Sequence, residues 1–186
     1  MVPILSLWLP ILLAAVLVFA ASSFIHMVLG YHANDFVGLP NEAGVMDALR
    51  PFNLTPGQYV MPKAESMKQM GEPDFQEKMK AGPVAFLTVL PSGPPRMGGQ
   101  LAQWFVYSVI VGVLAAYIAG RALGPGAEYL HVFRFTGATA FMCYTVAGWQ
   151  ASIWYRRPWA TTLKNTFDGF IYACLTAGAF GWLWPG

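Results

Sequence analysis

Charge is scarce in this chain. Only 11 % of its 186 residues are Asp, Glu, Lys or Arg, against about a quarter in soluble domains. That deficit excludes an ordinary water-facing exterior and fits a chain whose apolar surface faces lipid. The net charge is only +2, and no basic stripe of the kind a phosphate backbone requires is present, which excludes nucleic acid as a partner. Cysteine is nearly absent. Cys143 and Cys174 both fall in apolar stretches without a CxxC partner, which excludes a disulfide framework and a cysteine metal site. There is no GxSxG, no Walker loop, no HExxH and no glycine-rich dinucleotide fingerprint. An enzyme of a familiar class is therefore disfavoured, no catalytic residue is assigned, and no cofactor is implied.

What the chain has instead is apolar length: 56 % of it is hydrophobic. The runs predict an all-α integral membrane protein, a single membrane domain over residues 1–186. Its four transmembrane helices lie at about 4–30, 100–123, 129–155 and 163–184. The first run has no Lys or Arg. A secretory signal wants a basic start, so the run is read as a retained span, although Phe19-Ala20-Ala21-Ser22 resembles a cleavage site. The second run carries no charge before Arg121 and is long enough for a hydrocarbon core of roughly 30 Å.

Residues 31–99 form a polar insertion between spans one and two, read as short helices over 41–50, 62–70 and 73–81. Residues 83–90 are apolar, too short to span, and hemmed by Pro91, Pro94 and Pro95. They are expected at the membrane interface or over the bundle mouth, with a re-entrant loop as the sharper alternative.

Small residues recur at every fourth position on three helices: Gly112, Ala116 and Gly120 on the second, Thr139, Cys143, Ala147 and Ala151 on the third, and Gly169, Ala173, Ala177 and Gly181 on the last. In lipid such faces let backbones approach closely. Short turns make spans two, three and four consecutive antiparallel neighbours. Arg156, Arg157 and Lys164, with the basic residues of the insertion, lie on one side. The positive-inside rule puts that side in the cytoplasm and both termini outside.

This topology brings four polar residues to one end of the bundle: His26, Gln103, Gln150 and Asp168, with Ser22, Ser23 and Tyr172 beside them. Ionisable groups at membrane depth are costly and mark functional sites. His26 and Asp168 are candidates for a proton-exchanging or ligand-binding pair, to a quinone head group or a small cation for example. The alternative is interhelical glue at about 0.6 kcal/mol per hydrogen bond. Arg121 and Arg134, at the opposite end, are candidates for a lipid phosphate, with pairing to Glu128 as the alternative for Arg134. His26 and His32 are six residues apart. A pair on one helix ligates at i, i+3 or i, i+4, so no metal site is predicted.

The stretches HMVLGYH, VMDALRPF, PVAFLTVLPSGPPRMG, AAYIAGRALGPGAEYLHVFRFTG and WYRRPWATTLKNTFDGFIYACLTAGAFGWLWP resemble a group of small, uncharacterised bacterial multi-pass inner-membrane proteins. The resemblance implies a bacterial inner-membrane location and no activity. The expected function is an accessory, assembly or scaffolding subunit of a membrane complex, its partners being lipid and either itself or another membrane protein. A small oligomeric channel or transporter using the polar cluster is the alternative.

Overall fold

The computed structural model describes residues 1–186. Its elements run α1 (Trp8–Phe24), α2 (Glu42–Leu49), β1 (Gly57–Met61), α3 (Met67–Met70), α4 (Pro73–Ala81), β2 (Ala85–Val89), α5 (Met97–Ala122), α6 (Tyr129–Thr145), α7 (Trp149–Tyr155) and α8 (Trp159–Trp182). The protein is mostly helical, as expected. It divides into two compact units, residues 1–36 with 96–186, and residues 37–95.

In the first unit, α1 contacts α5 and α8, and α6 contacts α5 and α8, so the four long helices form a closed ring of neighbours. With its flanking turns, α1 makes a continuous helical segment, Ile4–Leu29. It and α5 are each 26 residues long and apolar enough to cross a membrane, with mean hydropathy 2.6 and 1.9. The core helix of a soluble protein is mostly buried. Here only 33 % and 28 % of the two segments lie inside the molecule, leaving side chains such as Leu12, Val16, Ile110 and Leu114 outward.

Two helices meet this test, where the sequence predicted four spans. The third predicted span is broken. α6 ends at Thr145, a tight turn over Val146–Gly148 follows, and α7 adds only 7 residues. Thr136, Thr139 and Thr145 each donate their hydroxyl to the carbonyl four residues back, which loosens and bends a helix. The two pieces, 17 and 7 residues, fall short of the roughly 20 a span needs. The fourth, α8, has 24 residues. Lys164, Asn165 and Asp168 fall within its first ten, and they make it too polar for the same test.

The small-residue faces of α5 and α8 lie inside this unit, whereas Ala147 of the third is exposed at the break after α6. Ala116, Ala173 and Ala177 are buried. A methyl added to Gly112 would meet Ile11, one on Gly120 would sit 2.6 Å from the Val2 carbonyl oxygen, and one on Gly181 would press into the Tyr129 ring. A methyl on Gly169 would fall on Cγ2 of Thr145, a buried residue whose hydroxyl is tied to Phe141. Relief means rotating Thr145 and breaking that bond. Gly169→Ala is therefore expected to destabilise by about 1 kcal/mol, read as a lowered thermal midpoint in detergent. Gly148→Ala, which meets nothing within 4 Å, should leave the midpoint unchanged.

The end of the bundle holding both chain termini is filled by apolar side chains. Leu7, Ala116, Val132 and Phe180 are fully buried there, with Ile11 and Ala14 beside them. The other end is looser and aromatic, around Val18, Ile25 and Tyr172.

The second unit corrects the reading of the polar insertion as helices alone. It contains an antiparallel pair, β1 against β2, with Gly57 opposite Val89, Tyr59 opposite Leu87 and Met61 opposite Ala85. Residues 83–90, expected at a membrane interface, supply β2. Its side chains alternate between half-buried and exposed, the period of two that a sheet with one covered face imposes. The helix expected over 41–50 is α2, capped by the Asn41 side chain. That over 73–81 is α4, which buries Phe75. The helix expected over 62–70 shrinks to the single turn α3 behind the Ser66 cap.

Candidate functional site

The site begins where α1 ends. After Phe24 the helix widens into a turn over Ile25–Leu29 and stops at Gly30, which takes φ +64°. Glycine reaches that left-handed conformation without a Cβ penalty and so ends the helix. Two successive turns follow, Ala33 to Gly30 and Asp35 to His32. They fold Tyr31, His32 and Asp35 back beside the first turns of α8. On α8, Thr161, Lys164 and Asp168 are spaced three and four residues apart, one helix face.

The result is a connected polar cluster. The Tyr31 hydroxyl donates to Oδ1 of Asp168. The His32 ring lies between two carboxylates, Nδ1 at 2.6 Å from Oδ2 of Asp35 and Nε2 at 2.8 Å from Oδ2 of Asp168. Lys164 donates to the Tyr31 carbonyl at 2.7 Å and to Oδ1 of Asp35 at 2.8 Å. Asp168 is buried, 3 % exposed. Hydrogen bonds from Lys164 and then His32 hold the Asp35 carboxyl down to about 2, against the opposing pull of its burial. Burial, and then the hydrogen bond to Asp168, push the Tyr31 hydroxyl well above its usual range. Both His32 nitrogens face carboxylate oxygen, so each needs a proton or a cation between it and its partner. His26 approaches from the widened turn that follows α1. Its ring centroid is 4.6 Å from that of His32. Donor atoms of His26, His32 and Asp168 all lie within 4.8 Å of one another, close enough to hold a metal ion.

Beside the cluster is a partly open cavity of about 720 Å³ with mostly apolar walls, within the range of small-molecule sites. His26 and Asp168 line it, with Arg157 and Asn165. Its aromatic wall is Trp104, Tyr144 and Tyr172, whose ring centroids are 5.5 to 6.0 Å apart. Trp104 is fixed by its indole N–H donating to Ser22 at 2.8 Å. The Tyr172 hydroxyl is the one buried side-chain oxygen or nitrogen with no hydrogen-bond partner in the protein. A buried hydroxyl left unpaired is costly.

Of the residues expected at this end, the structure brings together His26, Asp168, Ser22, Ser23 and Tyr172 around the cavity. Gln103 and Gln150 are exposed and line nothing. With Trp104 turned inward, Gln103 points about 100° away on the same helix. The helix break before α7 carries Gln150 outward. Arg121 lies over the Tyr117 ring at 5.6 Å and Arg134 is exposed; neither pairs with Glu128. Tyr31, His32 and Asp35 were missed because residues 31–99 were assigned as a block to the polar insertion, and Lys164 was counted among the basic residues that set topology. Their signal was local: HxxD directly after a span, and KxxxD at the start of α8. The expectation against metal assumed one continuous helix through His26 and His32, and Gly30 ends that helix between them. Compared with known proteins, the chain matches no family model, no curated protein and no solved structure.

Proposed function

We propose that this is a bacterial inner-membrane protein that binds a small amphiphile in the cavity beside the His32–Asp168 cluster. The observation that carries the reading is the cavity itself, about 720 Å³ and largely apolar, walled by Trp104, Tyr144 and Tyr172 and edged by His26, Arg157, Asn165 and Asp168. A ligand with an apolar body and a polar head matches this lining: the aromatic wall supplies stacking area and the polar edge supplies hydrogen-bond partners. The membrane location draws support from the two long apolar helices and their outward surface. The basic residues Arg156, Arg157 and Lys164 near the cavity end favour the cytoplasmic side for that end.

The two earlier readings have less support. An accessory subunit was inferred from spare small-residue faces; those of α5 and α8 are occupied within the protein, and only the broken stretch around Ala147 faces outward. A channel needs a water path through the bundle, and Leu7, Val132 and Phe180 pack its far end at no measurable exposure.

Gly148 offers the cleanest test. It lines the cavity and has nothing within 4 Å of where a Cβ would be. Gly148→Phe is expected to fill the cavity and leave the fold intact. Protein extracted with its native lipid should retain a small molecule, seen by mass spectrometry, and the variant should lose it. Equal retention by both would sink the proposal.

A further inference from the structure

We infer that His26, His32 and Asp168 form a site for one divalent transition-metal ion, with its remaining coordination positions facing the cavity. Three neighbouring donors, two imidazoles and one carboxylate, are the open-sided set that catalytic zinc and non-haem iron centres use. Nitrogen donors select against magnesium and calcium, which prefer all-oxygen shells. Bonds of about 2.0–2.2 Å place adjacent ligands roughly 3–3.5 Å apart. Nε2 of His32 and Oδ2 of Asp168 are already 2.8 Å apart. His26 must close the remaining distance. It is exposed and makes no hydrogen bond, so its ring is free to swing.

The outer partners argue for a metal as strongly as the donors do. Metal-bound imidazoles hand their second nitrogen to a carboxylate, which fixes the ring. Asp35 does this for Nδ1 of His32, and Lys164 holds Asp35 in turn. The ligating carboxylate is also hydrogen-bonded in such sites, and Tyr31 occupies Oδ1 of Asp168, leaving Oδ2 toward the histidine. A purely structural ion pair accounts for His32 between two carboxylates. It gives no reason for a second imidazole 4.6 Å away. The site stands on the cluster geometry alone, so it holds or fails independently of the amphiphile in the cavity.

The test uses full-length protein in mild detergent, treated with chelator and then titrated with Zn²⁺, and anaerobically with Fe²⁺, in excess Mg²⁺. One ion per chain is expected, with Co²⁺ giving the visible absorption of a nitrogen–oxygen site. His26→Ala removes an exposed ligand without touching the hydrogen-bond network, so the metal-free thermal midpoint should stay unchanged while affinity falls at least tenfold. The inference is overturned if wild type takes up neither ion stoichiometrically, or if His26→Ala binds as tightly as wild type.

Discussion

Asp168→Ala is expected to cost about 3–5 kcal/mol of stability, the range for removing one partner of a buried charged pair. Asp168 is 3 % exposed and accepts from Tyr31 and from Nε2 of His32. Without it, the Tyr31 hydroxyl and one His32 nitrogen lose their partners together, and the turn after α1 loses two of its ties to α8. Lys164 still holds the turn through the Tyr31 carbonyl and Asp35, so the fold should loosen locally before it fails. The expected signature is a lowered thermal midpoint together with proteolytic cleavage within residues 30–36. Asp168→Asn keeps an acceptor for Tyr31 and should lose less than half as much. If Asp168→Ala is as stable as wild type, the cluster is an exposed surface network and the account of its burial is wrong.

Phe180→Ala is the second large effect, expected at about 3 kcal/mol, the low end of the range for aromatic truncation in a core. Phe180 is fully buried among Leu7, Ile11 and Val132 at the end of the bundle far from the cavity. The low end applies because, on the membrane location proposed above, separated helices keep an apolar surround. What is lost is the packing contact and the filled volume rather than the transfer from water. The midpoint should fall while retention of the cavity ligand is unchanged. Loss of retention would show that the two ends of the bundle are coupled, which the separate clusters argue against.

The sequence carried the helical character and the polar end of the bundle further than it carried their details. Hydropathy could find α1 and α5 because their surfaces are apolar almost all round. It overcounted at α6 and α7, where threonine hydroxyls bonding back to the helix precede a break at Val146–Gly148 that no composition average registers. It also overcounted at α8, where Lys164 and Asp168 turn into a polar cluster. The β1–β2 pairing joins segments almost 30 residues apart in sequence, and a local reading of residues 83–90 could not find their partner. His26 and Asp168 were legible because connectivity alone puts the end of α1 and the start of α8 together. His32 was not, because its place depends on Gly30 taking positive φ, a backbone choice that reverses the chain within two residues.

The most direct measurement of the central claim is a structure of the full-length protein in a lipid nanodisc. The account expects density for a small amphiphile between α1, α5, α6 and α8, its polar group within hydrogen-bond distance of His26, Arg157 or Asn165 and its body against Trp104 and Tyr144. A cavity closed by the protein's own side chains, with no such density, would contradict it.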